Sequence, residues 1–277
     1  MRWLPIRSVK KGAAVRIFCF HSAGTTCDIF RDFLADRDDL EVCALQLPGR
    51  QERAREPLET NARVLAYDIV DMMVAEGLLD IPCCFVAHSV GCWVAYTVMS
   101  EIAERQLPLP HQVFFSSFMA PNTSLDSFPW EPNAVLDDTG FQEEVAKWGT
   151  DPRVFQPRYW PSFRRLLRAD FTLFDDFRFE RDTFPVFRDV EANIYWASKD
   201  AMVSREDVRS WTSLFPNCTF GVIHASHMFI LNKRHMQEWQ KSISVCISRS
   251  TLHQRFQETN IDGSASASRM RSSARAA

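Results

Sequence analysis

The sequence predicts an α/β fold: a mostly parallel central sheet with helices on both faces, interrupted by one helical insertion. Three observations carry this. Short apolar runs of strand length alternate with longer stretches of helical spacing from Val15 to about Ile247. One run, Cys83 to Ala87, passes straight through a serine-centred turn into an apolar helix. Between about 120 and 187 the rhythm breaks into a Pro-, Trp- and Asp-rich stretch followed by an irregular helical pattern.

Taken in order, Val15–Phe20 reads as the first strand, ending in the turn-like His21–Thr26, and Asp28–Ala35 as a helix with Ile29, Phe33 and Leu34 on one side. Leu40–Leu47 is a second strand, stopped by Pro48-Gly49. Val64, Leu65, Ile69, Met72 and Met73 give Asn61–Glu76 helical spacing, with Gly77 as its C-cap. Cys83–Ala87 is a strand, Cys92 to about Ala103 a helix, and Val113–Ser117 a further strand. After the insertion come a strand over Val190–Trp196, a helix from Ser204 to Phe215 with Ser204 as N-cap, a last strand over Cys218–His224 and a closing helix from Phe229 to about Ile247. Domain organisation follows: one domain over 1–248, and a Ser/Ala/Arg-rich tail over 249–277 too poor in apolar residues to order itself.

Composition excludes several classes. Thirty-two basic against 35 acidic residues, a net charge of −3, argue against a protein built to grip nucleic acid or anionic membrane. No apolar run approaches the roughly 18 residues of a membrane helix, and the N-terminus lacks the apolar stretch of a secretory signal. The eight cysteines form no C-x-x-C pair and several sit inside apolar runs. Buried thiols in a reducing cytoplasm are therefore expected, with no disulfide framework.

The chemistry concentrates in Ala87-His88-Ser89-Val90-Gly91. A strand enters and a helix leaves, the setting of the nucleophile elbow G-x-S-x-G of the α/β-hydrolase fold, with Ala87 in place of the first Gly. The tight turn needs small residues on either side of the serine, and the helix N-terminus presents amides to developing negative charge. A serine hydroxyl needs a base, and in this fold the order is Ser, acid, His. His224 and His227 both follow the last strand; His227 is favoured because a helix begins just after it. Asp200, a few residues past the strand Val190–Trp196, is the expected acid, whereas Asp207 reads as first-turn helix charge. The loop after the first strand supplies one oxyanion amide, at Ala23, and the residue after the nucleophile, Val90, the other. Ser22 is a weaker candidate nucleophile.

These segments together resemble the type II thioesterases that serve polyketide, nonribosomal peptide and fatty acid synthases. Phe20–Thr25 is similar to the family's F-P-x-A-G-G loop, with His21 in the Pro position and Thr25 in that of the last Gly. Leu45–Arg50 followed by Glu52-Arg53 is close to its Q-L-P-G-R-E-x-R segment, Leu167–Phe171 matches L-R-A-D-F, and His227–Leu231 is similar to G-H-F-F-L. The resemblance implies a serine thioesterase that clears or releases acyl groups from the phosphopantetheine arm of an acyl- or peptidyl-carrier protein, with Ser89, Asp200 and His227 as triad. It implies no metal and no cofactor. A general carboxylesterase or acyl-CoA hydrolase on the same scaffold is the alternative. Nothing in the sequence demands more than a monomer.

Nine of the 22 phenylalanines fall between Phe141 and Phe187. On this reading the insertion is a lid over Ser89, and Phe163, Phe171, Phe174 and Phe177 are candidates to line an acyl tunnel, with burial of the lid's own core the alternative for each. Arg164, Arg165 and Arg168 share a helix face in that segment; Arg168 is a candidate to pair with Asp170 or Asp175.

Overall fold

The computed structural model describes residues 2–124, 127–180 and 185–249. Seven strands form one sheet in the order β1-β3-β2-β4-β5-β6-β7. The strands are β1 (Ile6–Arg7), β2 (Val15–Phe20), β3 (Leu40–Ala44), β4 (Cys83–His88), β5 (Gln112–Ser116), β6 (Glu191–Ala197) and β7 (Cys218–Ile223). Every neighbouring pair is parallel except β1 with β3. Strands β2, β3, β4 and β5 are buried along their whole length. Their near-continuous apolar runs are therefore those of a sheet covered on both faces. The two-residue edge strand β1 has no counterpart in the sequence reading; it is too short to leave a period.

The helices are α1 (Ala62–Ala75), α2 (Val90–Glu104), α3 (Asp138–Lys147), α4 (Trp160–Asp175) and α5 (Arg205–Arg209). Asn61 caps α1 by accepting from the amides of Arg63 and Val64, and Gly77, at φ 62°, closes it. Helix α2 packs on α1 and on β4, and twelve of its fifteen residues are buried. The body carrying all these elements runs to Met236; from Gln237 the chain forms a second unit. A last helix, α6, spans residues 233–249. Residues 250–277, most of the expected tail, lie outside the described residues. No helix among the described residues is long and apolar enough to cross a membrane.

Four sequence expectations change. Asp28–Ala35 is not an α-helix: a 3-10 turn over Cys27–Phe30 leads into further turns that bury Phe30, Phe33 and Leu34. Leu34 sits at φ 50°, and Asp36, Asp38 and Asp39 follow it, where a helix dipole disfavours negative charge. Strand β3 ends at Ala44, and Gln46 donates its amide to Trp3 O instead. Helix α5 stops at Arg209 and passes into a 3-10 turn over Ser210–Ser213. There the hydroxyls of Ser210, Thr212 and Ser213 each donate to the carbonyl three residues back, competing with the helix ladder. The closing helix starts at 233, after a 3-10 turn over Phe229–Leu231, because Asn232 caps it by accepting from the amides of Arg234 and His235.

Helix α2 and the end of β2 approach each other backbone to backbone. A Cβ on Gly91 would stand 2.6 Å from Phe20 O and 2.7 Å from His21 O, both backbone atoms that cannot swing away. Gly91→Ala is expected to destabilise the fold by about 1–3 kcal/mol, read as a lowered midpoint in thermal unfolding. A midpoint equal to that of the wild type would show that this approach is looser than described.

Candidate active site

Ser89 occupies the single-residue gap between β4 and α2, at φ 55° and ψ −134°. A non-glycine residue rarely holds such a backbone, and the strain costs on the order of 1–3 kcal/mol. Three contacts hold it. The Ser89 N–H donates to Ser116 O at 3.0 Å, Cys92 N–H donates to Ser89 O at 2.8 Å, and Gly91 lets the β2 backbone pass close by. The serine is 5% exposed and lines a cleft.

The loops after β6 and β7 bring the other two predicted residues to it. Asp200 accepts from the amides of Met202 and Val203 on Oδ1, at 3.0 and 3.1 Å, and faces His227 Nδ1 with Oδ2 at 2.7 Å. An ionised carboxylate can only accept, so Nδ1 carries the proton. In the neutral ring Nε2 is then the acceptor, and Ser89 Oγ lies 3.0 Å from it, placed to donate. The ring is wedged between Trp148, edge-on at 4.9 Å, and His88 at 5.1 Å. His88 Nδ1 donates to Ser116 Oγ, whose own proton goes to Ala87 O. Burial first, and the neighbouring His227 second, hold His88 well below the usual histidine range. It stays neutral, and no second cation competes with a proton on His227.

The amides expected to face an oxyanion are also placed. Val90 is the first residue of α2, so its N–H has no carbonyl a turn back to bond. Ala23 shares its peptide plane with Ser22 O, which accepts from His21 Nδ1 at 2.9 Å and from the Thr25 hydroxyl and amide at 2.9 and 3.3 Å. A trans peptide points N–H opposite to C=O, so three donors on Ser22 O turn the Ala23 N–H the other way.

Ser89, His227 and Ala23 share a cleft with Trp148, Leu167, Phe171 and Phe174. Phe163 is half-buried against the core and does not line it; Phe177 lines a separate cleft beside the start of α1. His224 is placed away from Ser89, near Ser198 Oγ, and the Ser22 hydroxyl pairs with that of Thr25. Asp207 completes a capping box with Ser204. Arg168 pairs with neither Asp170 nor Asp175: it donates to the carbonyls of Asn133, Leu136 and Asp137, and both it and Arg164 meet Asp138. Sequence reasoning did not single out Trp148 or Leu167. The buried Arg50–Asp170 pair, at 2.6 Å, joins two segments with no local sign of pairing in the sequence. Among the described residues no group of three or more His, Cys, Asp or Glu is placed to hold a metal ion.

Residues 15–244 match the family model of the thioesterase domain. The chain belongs to the thioesterase family. The enzyme is thus a hydrolase of a family that cleaves thioesters. It is 28% identical over 184 residues to the gramicidin S biosynthesis protein GrsT of Aneurinibacillus migulanus, covering 65% of this chain and 70% of GrsT. To the medium-chain S-acyl fatty acid synthase thioesterase of Homo sapiens it is 30% identical over 168 residues, 58% of this chain and 61% of that protein. RedJ, a thioesterase from the prodiginine biosynthetic pathway in Streptomyces coelicolor, shares the fold at a TM-score of 0.75 and 23% identity, over 87% of this chain and 94% of RedJ.

In this thioesterase one histidine of the loop after β2, His21, is buried. Burial first, then the positive charge of Arg50, bring His21 down to about 4. Folded His21 is neutral while the unfolded chain takes up its proton near pH 6.5. Its contribution to stability is complete above pH 6.5 and is lost as pH falls from 6.5 to 4, by on the order of 3 kcal/mol. His21→Gln, which keeps a donor and an acceptor but does not titrate, is expected to flatten the acid limb of stability in that window. Urea unfolding at a series of pH values checks this; an unchanged slope would contradict it.

Proposed function

We propose that the enzyme removes acyl groups from the phosphopantetheine arm of an acyl- or peptidyl-carrier protein through a covalent intermediate on Ser89. The observation that carries this reading is the unbroken chain Ser89 Oγ, His227 Nε2, His227 Nδ1, Asp200 Oδ2, with contacts of 3.0 and 2.7 Å. Family membership supplies the thioester, and relatives named for gramicidin S biosynthesis and for a fatty acid synthase favour a carrier-bound one.

In the first half-reaction Ser89 Oγ attacks the thioester carbonyl while His227 Nε2 takes its proton. The carbonyl oxygen becomes an oxyanion facing the Val90 and Ala23 amides. Collapse breaks the C–S bond; the sulfur of the arm takes the proton from His227 and leaves as the thiol, which returns His227 to its neutral form. In the second half His227 deprotonates a water, which attacks the acyl ester, and Ser89 recovers its proton as the free acid departs. Asp200 accepts from His227 Nδ1–H and keeps the imidazole in the required tautomer. Phe171, Phe174, Leu167 and Trp148 offer the acyl chain an apolar wall. A reducing, cytoplasmic setting suits the buried thiols of Cys19, Cys43, Cys84 and Cys92.

The test compares cleavage of a panel of acyl-loaded carrier proteins, acyl-CoA thioesters and oxyesters by wild type, Ser89→Ala and Asp200→Asn. Ser89→Ala is expected to lower kcat roughly a millionfold, and Asp200→Asn about ten-thousandfold with KM little changed. Carrier-bound thioesters should give the highest kcat/KM. Faster turnover of oxyesters or free CoA thioesters would overturn the carrier-protein assignment, and an active Ser89→Ala would overturn the mechanism.

A further inference from the structure

Asp170 ties together three segments that are far apart in sequence. It lies on α4 and is 1% exposed; its partner Arg50 is 5% exposed. Asp170 Oδ1 accepts from Arg50 Nη2 at 2.6 Å, and Oδ2 accepts both from Arg50 Nη1 at 2.9 Å and from the Gly24 N–H at 2.8 Å. Arg50 Nη1 also donates to Thr25 O at 3.1 Å. The helix and the loop after β2 therefore meet at a carboxylate whose two oxygens are both engaged.

We infer that Asp170 is a positioning residue for the oxyanion loop: by holding the Ala23–Gly24 peptide it keeps Ala23, whose N–H the donors on Ser22 O orient, in place, so the acylation site is complete only while α4 is docked. The inference rests on the mechanism proposed above. Ala23 lies between two peptide planes. The first, Ser22–Ala23, is held by the three donors on Ser22 O. The second, Ala23–Gly24, is held by Asp170 through the Gly24 N–H. With both planes fixed, the two backbone torsions of Ala23 have no freedom left. Gly24 stands at φ 68°, and a Cβ there would lie 2.6 Å from Leu167 Cδ2, so α4 rests directly on the loop as well as bonding to it. Gly24 is the residue type with the widest choice of backbone conformations, so the loop relies on Asp170 to hold this one. Displacing α4 removes Leu167 from the cleft wall and the acceptor from Gly24 together. A substrate that seats α4 thus also completes the charge-stabilising site, a coupling of binding to chemistry through one carboxylate.

The test must not leave Arg50 as an unpaired buried charge, so both partners change together. Arg50→Met/Asp170→Leu removes the pair and the acceptor for Gly24. Arg50→Met/Asp170→Asn removes the pair but keeps a carbonyl acceptor. With an acyl-N-acetylcysteamine thioester as probe, the Leu variant is expected to lose ten- to a hundredfold in kcat with KM within about threefold. Labelling of Ser89 by a fluorophosphonate should slow by a similar factor, and the Asn variant should recover most of both losses. A merely structural pair would give equal losses in the two variants, following their unfolding midpoints; that result, or a wild-type kcat in the Leu variant, overturns the inference. A measurement on the wild type serves if the variants fail to fold. The Gly24 amide should exchange hydrogen at the same opening rate as the amides of α4, and faster exchange at Gly24 alone would overturn it. A wild type whose Ser89 takes no label removes the mechanism itself, whereas a labelled, active wild type beside an unimpaired Leu variant removes only the role of Asp170.

Discussion

A serine held at φ 55° between the last residue of a buried strand and the first of a buried helix sets the terms for the rest of the molecule. The turn has room for one residue, so the neighbours must be small and the β2 backbone must pass within contact of Gly91. In return the hydroxyl stands above the carboxyl edge of the sheet, beside the amides of a helix start. Strand order then decides what can reach it. With β4 near the centre, the loop after β2 arrives from one side and the loops after β6 and β7 from the other. The three loops carry Ala23, Asp200 and His227.

Electrostatics around this turn are arranged so that one proton path exists. Asp200 is satisfied by two amides and one imidazole N–H, which keeps it an acceptor. Two buried histidines, His21 in the loop after β2 and His88 beside the His227 ring, are both pushed towards neutrality, and burial is the larger cause in each. His227 is the histidine bonded to both a carboxylate and the serine. The aromatic wall adds to this: Trp148 meets the edge of His227 on one side and Phe171 and Phe174 on the other, so the ring that moves protons is backed by the groups that line the cleft.

The parts of this arrangement legible in the sequence are those encoded by consecutive residues. Ala87–Gly91 between a strand and a helix announced the elbow, and Asp200 and His227 could be chosen because each follows a strand by a few residues. Parallel order was legible for a similar reason, since doubly buried strands read as unbroken apolar runs. What depended on distant partners was not legible. Arg50 and Asp170 lie 120 residues apart, and within one sequence nothing selects Arg50 over Arg168 as the partner. Phe163 and Phe171 have the same composition and sit on the same helix, yet only Phe171 faces the cleft, because the seating of α4 on Gly24 decides which side points inward. The 3-10 turns over Cys27–Phe30, Ser210–Ser213 and Phe229–Leu231 are not distinguishable from α-helix in the sequence, because three or four residues are too few to separate the two periods.

The account's central claim is that the acyl group passes through Ser89. It is tested most directly by mixing the wild-type enzyme with a bulky, slowly hydrolysed acyl thioester, quenching in acid within the first turnover, and mapping the modified peptide by mass. The account predicts the acyl mass on the peptide containing Ser89, appearing with thiol release and disappearing with acid formation. An acyl mass on another side chain such as Ser22, or thiol release through the first turnover with the Ser89 peptide unmodified, would contradict it.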